Sequence, residues 1–282
     1  MAAASQLTFG DMRVSSVSDG NLVLPTAFFF DRLPQDEVTE ILERHDMPTD
    51  QLTPPCNVTV LQHEDRTVLF DAGSGPGFMP SAGALLGNLE GLGIAPEDVT
   101  HVVFTHGHPD HLWGVLDDFD DPVFPDAAHL IGQLEWDYWR DPETVGTIGD
   151  ARASMAVGTA RRLEAIEEHC DFFTAGQEIL PGIMAHESFG HTPGHMSFEL
   201  RSGSQSVLVG GDAIGNHHVA FERPDWDSGA DQDKETGAKT RHRLLDQLAQ
   251  DQMTLIGFHL PDGGIGRVER KDSAYRFVTE DM

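Results

Sequence analysis

The chain has 282 residues, of which 39% are hydrophobic, and it contains 16 phenylalanines, 4 tryptophans and 29 glycines. Its 18 basic residues against 47 acidic residues give a formal net charge of −29, and a surface that negative repels nucleic-acid phosphates and anionic lipids. The composition is that of a globular protein with a substantial core, and the charge argues against nucleic acid or a membrane as its partner.

Cys56 and Cys170 lie far apart and in no metal-type spacing, which favours a reducing compartment over a disulfide scaffold. The first residues, MAAASQLTFGDMR, lack the basic segment and apolar run of a secretion signal, and no stretch approaches the ~18 apolar residues of a membrane span. We therefore expect a cytoplasmic protein with a single domain over residues 1–282. Residues 1–50 are expected to form an N-terminal extension that packs on the core or on a dimer partner.

The first half of the chain alternates apolar runs with glycine-rich turns. Residues 57–62 and 66–71 are β-rich runs around a short polar turn and predict a hairpin, which ends in DAGSGPG. Leucines at helical spacing over 80–92 predict a helix, and a short apolar strand follows at 102–104. This strand leads directly into FTHGHPDHLWG (104–114).

The second half also mixes helices and strands. The pattern predicts an amphipathic helix over 150–169, a polar loop over 222–233 and a helix over 234–250. Strands are predicted at 182–186, 196–200, 206–210 and 253–258. The heptapeptides TVLFDAG (67–73) and SVLVGGD (206–212) resemble each other, each being an apolar strand that ends in Gly and Asp. This echo suggests two similar halves.

The histidine-rich stretch carries the strongest chemical signal in the chain. Four potential metal ligands occupy six positions: His106, His108, Asp110 and His111. Because residues two apart on an extended segment point to the same side, His106 and His108 can converge on one ion. Asp110 and His111, where the chain turns, can face a neighbouring ion. Three further metal-capable side chains follow or lie between apolar strands: His191, Asp212 and His259.

These motifs together resemble the metallo-β-lactamase superfamily. They are H-x-H-x-D-H at 106–111, G-H-T-P-G-H at 190–195, G-D at 211–212 and a last histidine after a strand, over roughly residues 57–260. The resemblance implies an α+β fold, a four-layer αββα sandwich. It also implies that His106, His108 and His191 hold one metal ion, that Asp110, His111 and His259 hold a second, and that Asp212 bridges them. Asp71 would support the ligands from behind, and His195 is assigned a similar role.

Within the superfamily, the segment FHLPDGGIGRVERKDSAYRFV (258–278) resembles methyl parathion hydrolase and its relatives, a branch similar to the dizinc quorum-quenching lactonases. The oxygen-reducing diiron members carry a glutamate where His108 stands, and the nuclease members carry an inserted domain and act on polyanions. A hydrolase is therefore favoured, and the resemblance implies a homodimer. The short lactonases place a tyrosine near the metals after the third histidine, whereas no tyrosine lies between His191 and Asp212 here.

The resemblance implies a dinuclear hydrolase. A hydroxide that bridges two divalent metal ions, zinc first and iron, manganese or cobalt also compatible, would attack a neutral ester-like small molecule. Lactones, carboxylic esters and phosphotriesters are the expected substrates. Asp110 can shuttle the proton beside this hydroxide or act as a ligand alone.

Two alternatives stay open. One is glyoxalase-II-like thioester hydrolysis or β-lactam opening. A thioester on a large anionic carrier would favour a basic anchoring patch, for which Arg267, Arg270 and Lys271 are candidates. The other alternative is a non-catalytic protein that binds or senses its ligand through the metal.

Several aromatic and histidine side chains are candidates for the substrate pocket. Phe28 and Phe29 in AFFFD, together with Phe221 and Trp226, fit an apolar substrate wall, a subunit interface or simply the core. His217 and His218 follow Asp212 closely and fit either the pocket or an exposed surface.

Overall fold

The computed structural model describes residues 4–215 and 217–279, and the side chain of His217 lies outside the described part. Most of its strands form two seven-stranded sheets. The first sheet contains, side by side in chain order, β1 (Ala4–Phe9), β2 (Met12–Asn21), β3 (Pro55–His63), β4 (Arg66–Phe70), β5 (His101–Val103), β6 (Ala128–Gly132) and β7 (Cys170–Phe173). The second contains β8 (Glu178–Leu180), β9 (Ile183–Glu187), β10 (Met196–Ser202), β11 (Gln205–Gly211), β12 (Thr254–Gly257), β13 (Ile265–Lys271) and β14 (Ala274–Thr279).

The helices lie outside the sheets and around their edges. They are α1 (Thr26–Phe30), α2 (Gln35–Arg44), α3 (Leu85–Gly91), α4 (Pro109–Leu112), α5 (Gln133–Arg140), α6 (Thr144–Thr147), α7 (Asp150–Ile166), α8 (His217–Glu222) and α9 (Lys234–Asp251). Two short strands, Leu24–Pro25 and Gln51–Leu52, pair with each other beside α1. Among the described residues, no helix is long and apolar enough to cross a membrane.

Both sheets combine antiparallel hairpins with parallel neighbours. In the first sheet β4, β5, β6 and β7 run parallel to one another, and in the second β11 runs parallel to β12. The remaining neighbours are antiparallel. The heptapeptide echo corresponds to β4 and β11. Each is a buried strand that pairs in parallel with the next strand and ends at an aspartate, Asp71 or Asp212.

Three apolar clusters hold the layers together. Alternate side chains of the two sheets face each other, and the rings of Phe70 and Phe198 meet there with centroids 5.3 Å apart. The outer face of the first sheet packs against α3, α5 and α7, and that of the second against α8 and α9. The predicted four-layer αββα sandwich is therefore confirmed.

The elements match the sequence pattern best where the pattern is long and regular. The predicted helix over 234–250 is α9, which begins where the Asp233 side chain accepts a hydrogen bond from Thr236 N–H at 3.0 Å. The helix predicted over 80–92 begins only at Leu85, because Gly83 has a φ of +91° that a helix cannot continue through. The described part of segment 1–50 supplies β1 and β2 to the first sheet.

Candidate metal centre

The predicted ligands meet at one end of the sandwich. The carboxyl ends of parallel neighbours lie at the same edge of a sheet, so the segments that follow β4 and β5 are adjacent, as are those that follow β11 and β12. The loop before β10 reaches the same edge. These segments carry buried side chains, each at most 8% exposed: His106, His108, Asp110, His111, His191, Asp212 and His259.

The ligand atoms form three neighbouring sets. His106, His108 and His191 each offer an atom within 4.8 Å of the others, His106, His111 and Asp212 form a second such set, and Asp110 and His259 belong to a third. The carboxylate of Asp212 approaches members of all three. Its Oδ2 is 3.3 Å from His191 Nε2 and 3.2 Å from His259 Nε2. Its Oδ1 is 3.2 Å from His111 Nε2.

Several of these buried polar atoms have no hydrogen-bond partner, although buried polar atoms in proteins usually have one. Five buried side-chain atoms in the group have no hydrogen-bond partner: His106 Nε2, His108 Nε2, His111 Nε2, Asp110 Oδ2 and Asp212 Oδ1. An unsatisfied buried polar atom costs about 1–3 kcal/mol, and a cation would satisfy several of them at once. Neutral imidazoles and carboxylates are donors that suit zinc, and also iron, manganese or cobalt. The residues present therefore fit divalent metal ions.

The electrostatics of the group also favour bound cations. Burial lowers the pKa of His106 and of His108 well below the usual value, so both rings stay neutral, the form that binds a metal. Burial also opposes the charge on His111 and His259, but the carboxylates of Asp212 and Asp110, joined at His111 by that of Asp71, together outweigh it and raise the pKa of both rings. The site thus attracts positive charge where the carboxylates are densest.

Asp71 orients one of the imidazoles. Its Oδ2 accepts a hydrogen bond from His111 Nδ1 at 2.8 Å and one from Thr105 Oγ1 at 2.8 Å, while its Oδ1 accepts one from Thr105 N–H at 2.8 Å. The first contact turns His111 Nε2 toward the other ligands. Asp71 has a φ of +72°, a left-handed conformation that costs a non-glycine residue about 1–2 kcal/mol. The three hydrogen bonds hold it in that conformation.

His195 positions Asp212 through the backbone. Its Nε2 accepts a hydrogen bond from Asp212 N–H at 2.9 Å, and its Nδ1 lies 2.8 Å from Ser188 Oγ. Burial lowers the pKa of His195 to about 3, so the ring is neutral and Nε2 can accept. His195 therefore holds the backbone of Asp212 in place and is not itself a candidate ligand.

Glu135, in α5, was not found by sequence analysis. Its fully buried carboxylate joins the two ligand-bearing loops. Oε1 accepts hydrogen bonds from Gly107 N–H at 2.8 Å and Trp139 Nε1 at 2.6 Å, and Oε2 accepts them from Thr192 Oγ1 at 2.7 Å and Gly194 N–H at 3.0 Å. Burial raises the pKa of Glu135, although these four donors oppose the rise. A lone glutamate in QLEW carries no signal of this role.

Asp231 was also missed. His191 Nδ1 lies 3.2 Å from Asp231 Oδ1, which orients the imidazole so that Nε2 faces the other ligands. The guanidinium of Arg241, itself buried, donates to Asp231 Oδ2 at 3.3 Å. Asp231 lies in the polar loop predicted over 222–233, so the sequence located the loop without indicating which of its carboxylates matters.

An apolar cavity of about 420 Å³ opens above the ligand group. His108, Asp110, His191, Asp212 and His259 line its floor. Its walls are mainly apolar: Leu22, Leu24, Phe28, Phe29, Pro54, Phe78, Met79, Trp113, Met155 and Ala230. A second cavity of about 180 Å³ borders the first at Phe29, Pro54, Gly215 and His259. His259 therefore borders both cavities.

The candidate pocket residues divide into two groups. Phe28 and Phe29 line the larger cavity, and His218 lines the smaller one, where it stacks on His45 with ring centroids 3.6 Å apart. Phe221 and Trp226 line neither of these two cavities.

Phe221 is 2% exposed in the cluster beneath α9, because α8 lies across the outer face of the second sheet and turns this ring toward it. Trp226 packs beside α1 and α2 and under the Arg223 guanidinium, 5.5 Å from the ring centre.

Known proteins resemble this chain in sequence over the region that carries the candidate ligands. The family model described as "Metallo-beta-lactamase superfamily" matches residues 53–259. Metallo-beta-lactamase domain-containing protein 1 of Xenopus laevis is 33% identical over 170 residues, which is 59% of this chain and 54% of that protein. The N-acyl homoserine lactonase AttM of Azorhizobium caulinodans is 30% identical over 124 residues, 43% of each chain. The chain thus spans about half the length of these curated relatives.

Two solved structures resemble this one over nearly their whole length. The hydrolase AbOPH of the β-lactamase superfamily is 27% identical with a TM-score of 0.92, and the likeness covers 100% of this chain and 99% of that one. AidC, a dizinc quorum-quenching lactonase solved with the product N-hexanoyl-L-homoserine, is 23% identical with a TM-score of 0.93, over 100% and 98% of the chains. The likeness to AidC shows a common fold. The family resemblance of the sequence motifs is confirmed.

Proposed function

The chain belongs to the metallo-beta-lactamase superfamily, and from that premise we propose that it is a metal-dependent hydrolase of neutral, ester-like small molecules. Lactones are the first class to test, followed by carboxylic esters and phosphotriesters. One observation carries the proposal. A buried group of histidines and aspartates with unpartnered atoms forms the floor of an apolar cavity.

We assign the ligands in two sets, which rest on the geometry and on the family. His106, His108 and His191 would hold one divalent cation, and Asp110, His111 and His259 a second, with Asp212 between them. When bound, two such cations supply Lewis acidity that ionises water near neutral pH and polarises the oxygen of an ester. Zinc is the cation we propose first, because imidazole and carboxylate are its usual nitrogen and oxygen donors.

Asp110 is the residue best placed to move a proton. Its Oδ2 is buried on the cavity floor, lies 3.3 Å from His259 Nε2 and accepts no hydrogen bond. A carboxylate in that position can take a proton from the attacking water and return it to the leaving alkoxide. Glu135, Asp71, His195 and Asp231 hold the surrounding rings and loops in place.

The cavity chemistry supports a neutral substrate with an apolar group. Phe28, Phe29, Phe78, Trp113 and Met155 offer apolar surface around the floor. The net charge of −29 disfavours the approach of polyanions. Because His259 borders both cavities, the two sides of an ester bond held at the floor can occupy different cavities.

Relatives support lactones within this class. AttM is an N-acyl homoserine lactonase and AidC a quorum-quenching lactonase, while AbOPH is a hydrolase. Thioesters on large anionic carriers have less support. Arg267, Arg270 and Lys271 line neither cavity, and Arg270 donates instead to Asp246 Oδ1 at 2.6 Å.

A substrate panel tests the proposal. The protein reconstituted with zinc is assayed with N-acyl lactones of increasing acyl length, aryl esters, phosphotriesters, thioesters and β-lactams. We expect the largest kcat/KM among lactones or neutral esters, rising with acyl length as apolar contacts form in the cavity. His108→Ala should abolish turnover, while His242→Ala, an exposed histidine on α9, should leave it unchanged.

Preferential turnover of thioesters or β-lactams would overturn the substrate class. Full metal loading without turnover of any compound would favour a binding or sensing protein instead.

A further inference from the structure

A buried thiol lies beside the proposed second metal position. Cys56 is the second residue of β3 and has no exposed surface. Its Sγ, an oxygen of Asp110 and a nitrogen of His259 all lie within 4.8 Å of one another. Cys56 belongs to no sequence motif and to no ligand set that the family motifs predict.

The same short segment of β3 also orients the histidine. His259 Nδ1 donates a hydrogen bond to the carbonyl oxygen of Pro55 at 2.7 Å, which leaves Nε2 facing the ligand group. The next residue, Cys56, directs its thiol to the same place. Two adjacent residues of one strand therefore shape this side of the site.

A second, independent observation points to a ligand here. Asp110 is 5% exposed, and its Oδ2 has no hydrogen-bond partner although it lies 3.3 Å from His259 Nε2. A buried carboxylate oxygen without a donor, next to a thiol and an imidazole, is an arrangement that a cation satisfies and a hydrophobic core does not.

From this geometry we propose that Cys56 supplies a sulfur ligand to the metal position formed by Asp110 and His259. The inference rests on the proposed metal centre and deepens it. On coordination the S–H bond breaks, a sulfur–metal bond forms and the proton leaves to solvent. Ligands about 2.0–2.3 Å from a tetrahedral ion lie roughly 3.3–3.8 Å apart, so small side-chain rotations bring the three atoms into range.

A sulfur donor changes the metal preference of this position. Thiolate favours zinc, cobalt and cadmium over manganese and magnesium, whereas imidazole and carboxylate alone discriminate less. The two positions of the site therefore differ. The set of His106, His108 and His191 offers nitrogen, with the Asp212 carboxylate shared between the two positions, and only the set with Cys56 adds sulfur.

Cobalt substitution tests the proposal directly. Metal-free protein receives two equivalents of Co²⁺, and the near-ultraviolet absorption is recorded for a thiolate-to-cobalt charge-transfer band. We expect the band in the unmodified protein and its loss in Cys56→Ser. Cys170→Ser is the matched control, since the chain has two cysteines and Cys170 lies on β7, outside the metal-capable clusters of the described residues. The band should persist in that variant.

A measurement on the unmodified protein guards against a folding defect in the variant. The ¹¹³Cd resonance of one of two bound cadmium ions should shift strongly downfield, as sulfur ligation requires, and the other should not. Two bound cobalt ions without the band, or a band that survives in Cys56→Ser, would overturn the inference. If the protein shows either of these results and still hydrolyses esters, the proposed hydrolase function is retained and only the role of Cys56 is refuted. A protein that binds no cobalt or cadmium would overturn both.

Discussion

Glu135 binds no proposed metal, yet it determines where two of the ligand-bearing loops lie. One oxygen accepts from the loop that carries His106 and His108, and the other accepts from the loop that carries His191. The two carboxylate oxygens accept four hydrogen bonds. Because Glu135 is fully buried, water cannot take the place of the carboxylate as acceptor for these four donors. Hydrogen bonds to a charged group contribute about 1.5–3 kcal/mol each, so this carboxylate is costly to alter.

Glu135→Gln should weaken both the metal centre and the fold. The amide NH₂ would face two donors, and at the Oε2 position the backbone N–H of Gly194 cannot turn away. We expect the free energy of unfolding in urea to fall by about 1–3 kcal/mol. We expect zinc affinity, measured by chelator competition, to fall roughly 10- to 100-fold.

Glu164→Gln is the matched control. The Glu164 side chain is 71% exposed on α7 and forms a surface ion pair with Arg140, so the change should stay within about 0.5 kcal/mol. Equal effects of the two variants would refute the role assigned to Glu135.

Asp231→Asn should act through a single imidazole. The amide can still face His191, but it leaves the buried guanidinium of Arg241 without a counter-charge and loosens the loop. We expect zinc affinity, measured by titration calorimetry, to fall roughly 10- to 100-fold. Asp227→Asn, at an exposed position of the same loop, is the control. If both variants bind zinc as tightly as the parent, Asp231 does not orient His191.

At the scale of single residues, the sequence predicts the candidate metal ligands better than the residues that hold those ligands in place. His106, His108, Asp110 and His111 are visible because they crowd into six positions after one strand. Glu135 and Asp231 act through hydrogen bonds between residues at least 28 positions apart in sequence, which depend on the packing of α5 and of the 222–233 loop. Local spacing carries no trace of such contacts.

At the scale of elements, two strand pairs with the same design build the site. β4 and β5, and likewise β11 and β12, are parallel neighbours whose carboxyl ends carry the ligands or their supports. The echo between 67–73 and 206–212 was therefore a sign of architecture. The sequence pattern did not predict β1 or β2. In β2, buried serines alternate irregularly with apolar residues, which obscures the pattern of a strand. β1 pairs with β2 alone, and the pairing of β2 with β3 joins residues far apart in sequence, so it leaves no local periodicity.

Filling the smaller cavity should separate substrates by shape. Met47 lines this cavity between α2 and the Gln51–Leu52 strand, and Met47→Trp adds volume there. For esters with large groups on both sides of the bond, kcat/KM should fall roughly 10- to 200-fold, while methyl esters should be affected little. The ratio of the two kcat/KM values is the measurement.

Leu86→Trp serves as the control, because Leu86 is 44% exposed on α3 and lines neither cavity. Loss of activity on all esters alike would indicate distortion of the site, and no change in the ratio would exclude the smaller cavity from binding.

At the scale of the whole molecule, the charge balance should make stability depend on salt. With 47 acidic and 18 basic residues, at least 47 − 18 = 29 acidic groups have no basic partner in a one-to-one pairing. The screening length falls from about 10 Å at 0.1 M salt to about 3 Å at 1 M, which weakens their mutual repulsion.

We expect the urea midpoint of unfolding to rise as KCl increases from low concentration to 1 M. The same curve in NaCl would exclude a specific ion effect. A midpoint that falls with salt would mean that the surface ion pairs, not the unpaired carboxylates, dominate.

The central claim is that hydrolysis depends on two metal ions held by the group around Asp212. It is tested most directly by titrating metal-free protein with Zn²⁺ while following turnover of an N-acyl lactone or neutral ester. The account predicts no turnover without metal, a rise that saturates at two equivalents per chain, and no turnover in His108→Ala at any zinc concentration. Turnover by metal-free protein or by His108→Ala would contradict it, as would saturation at two equivalents without hydrolysis of any ester.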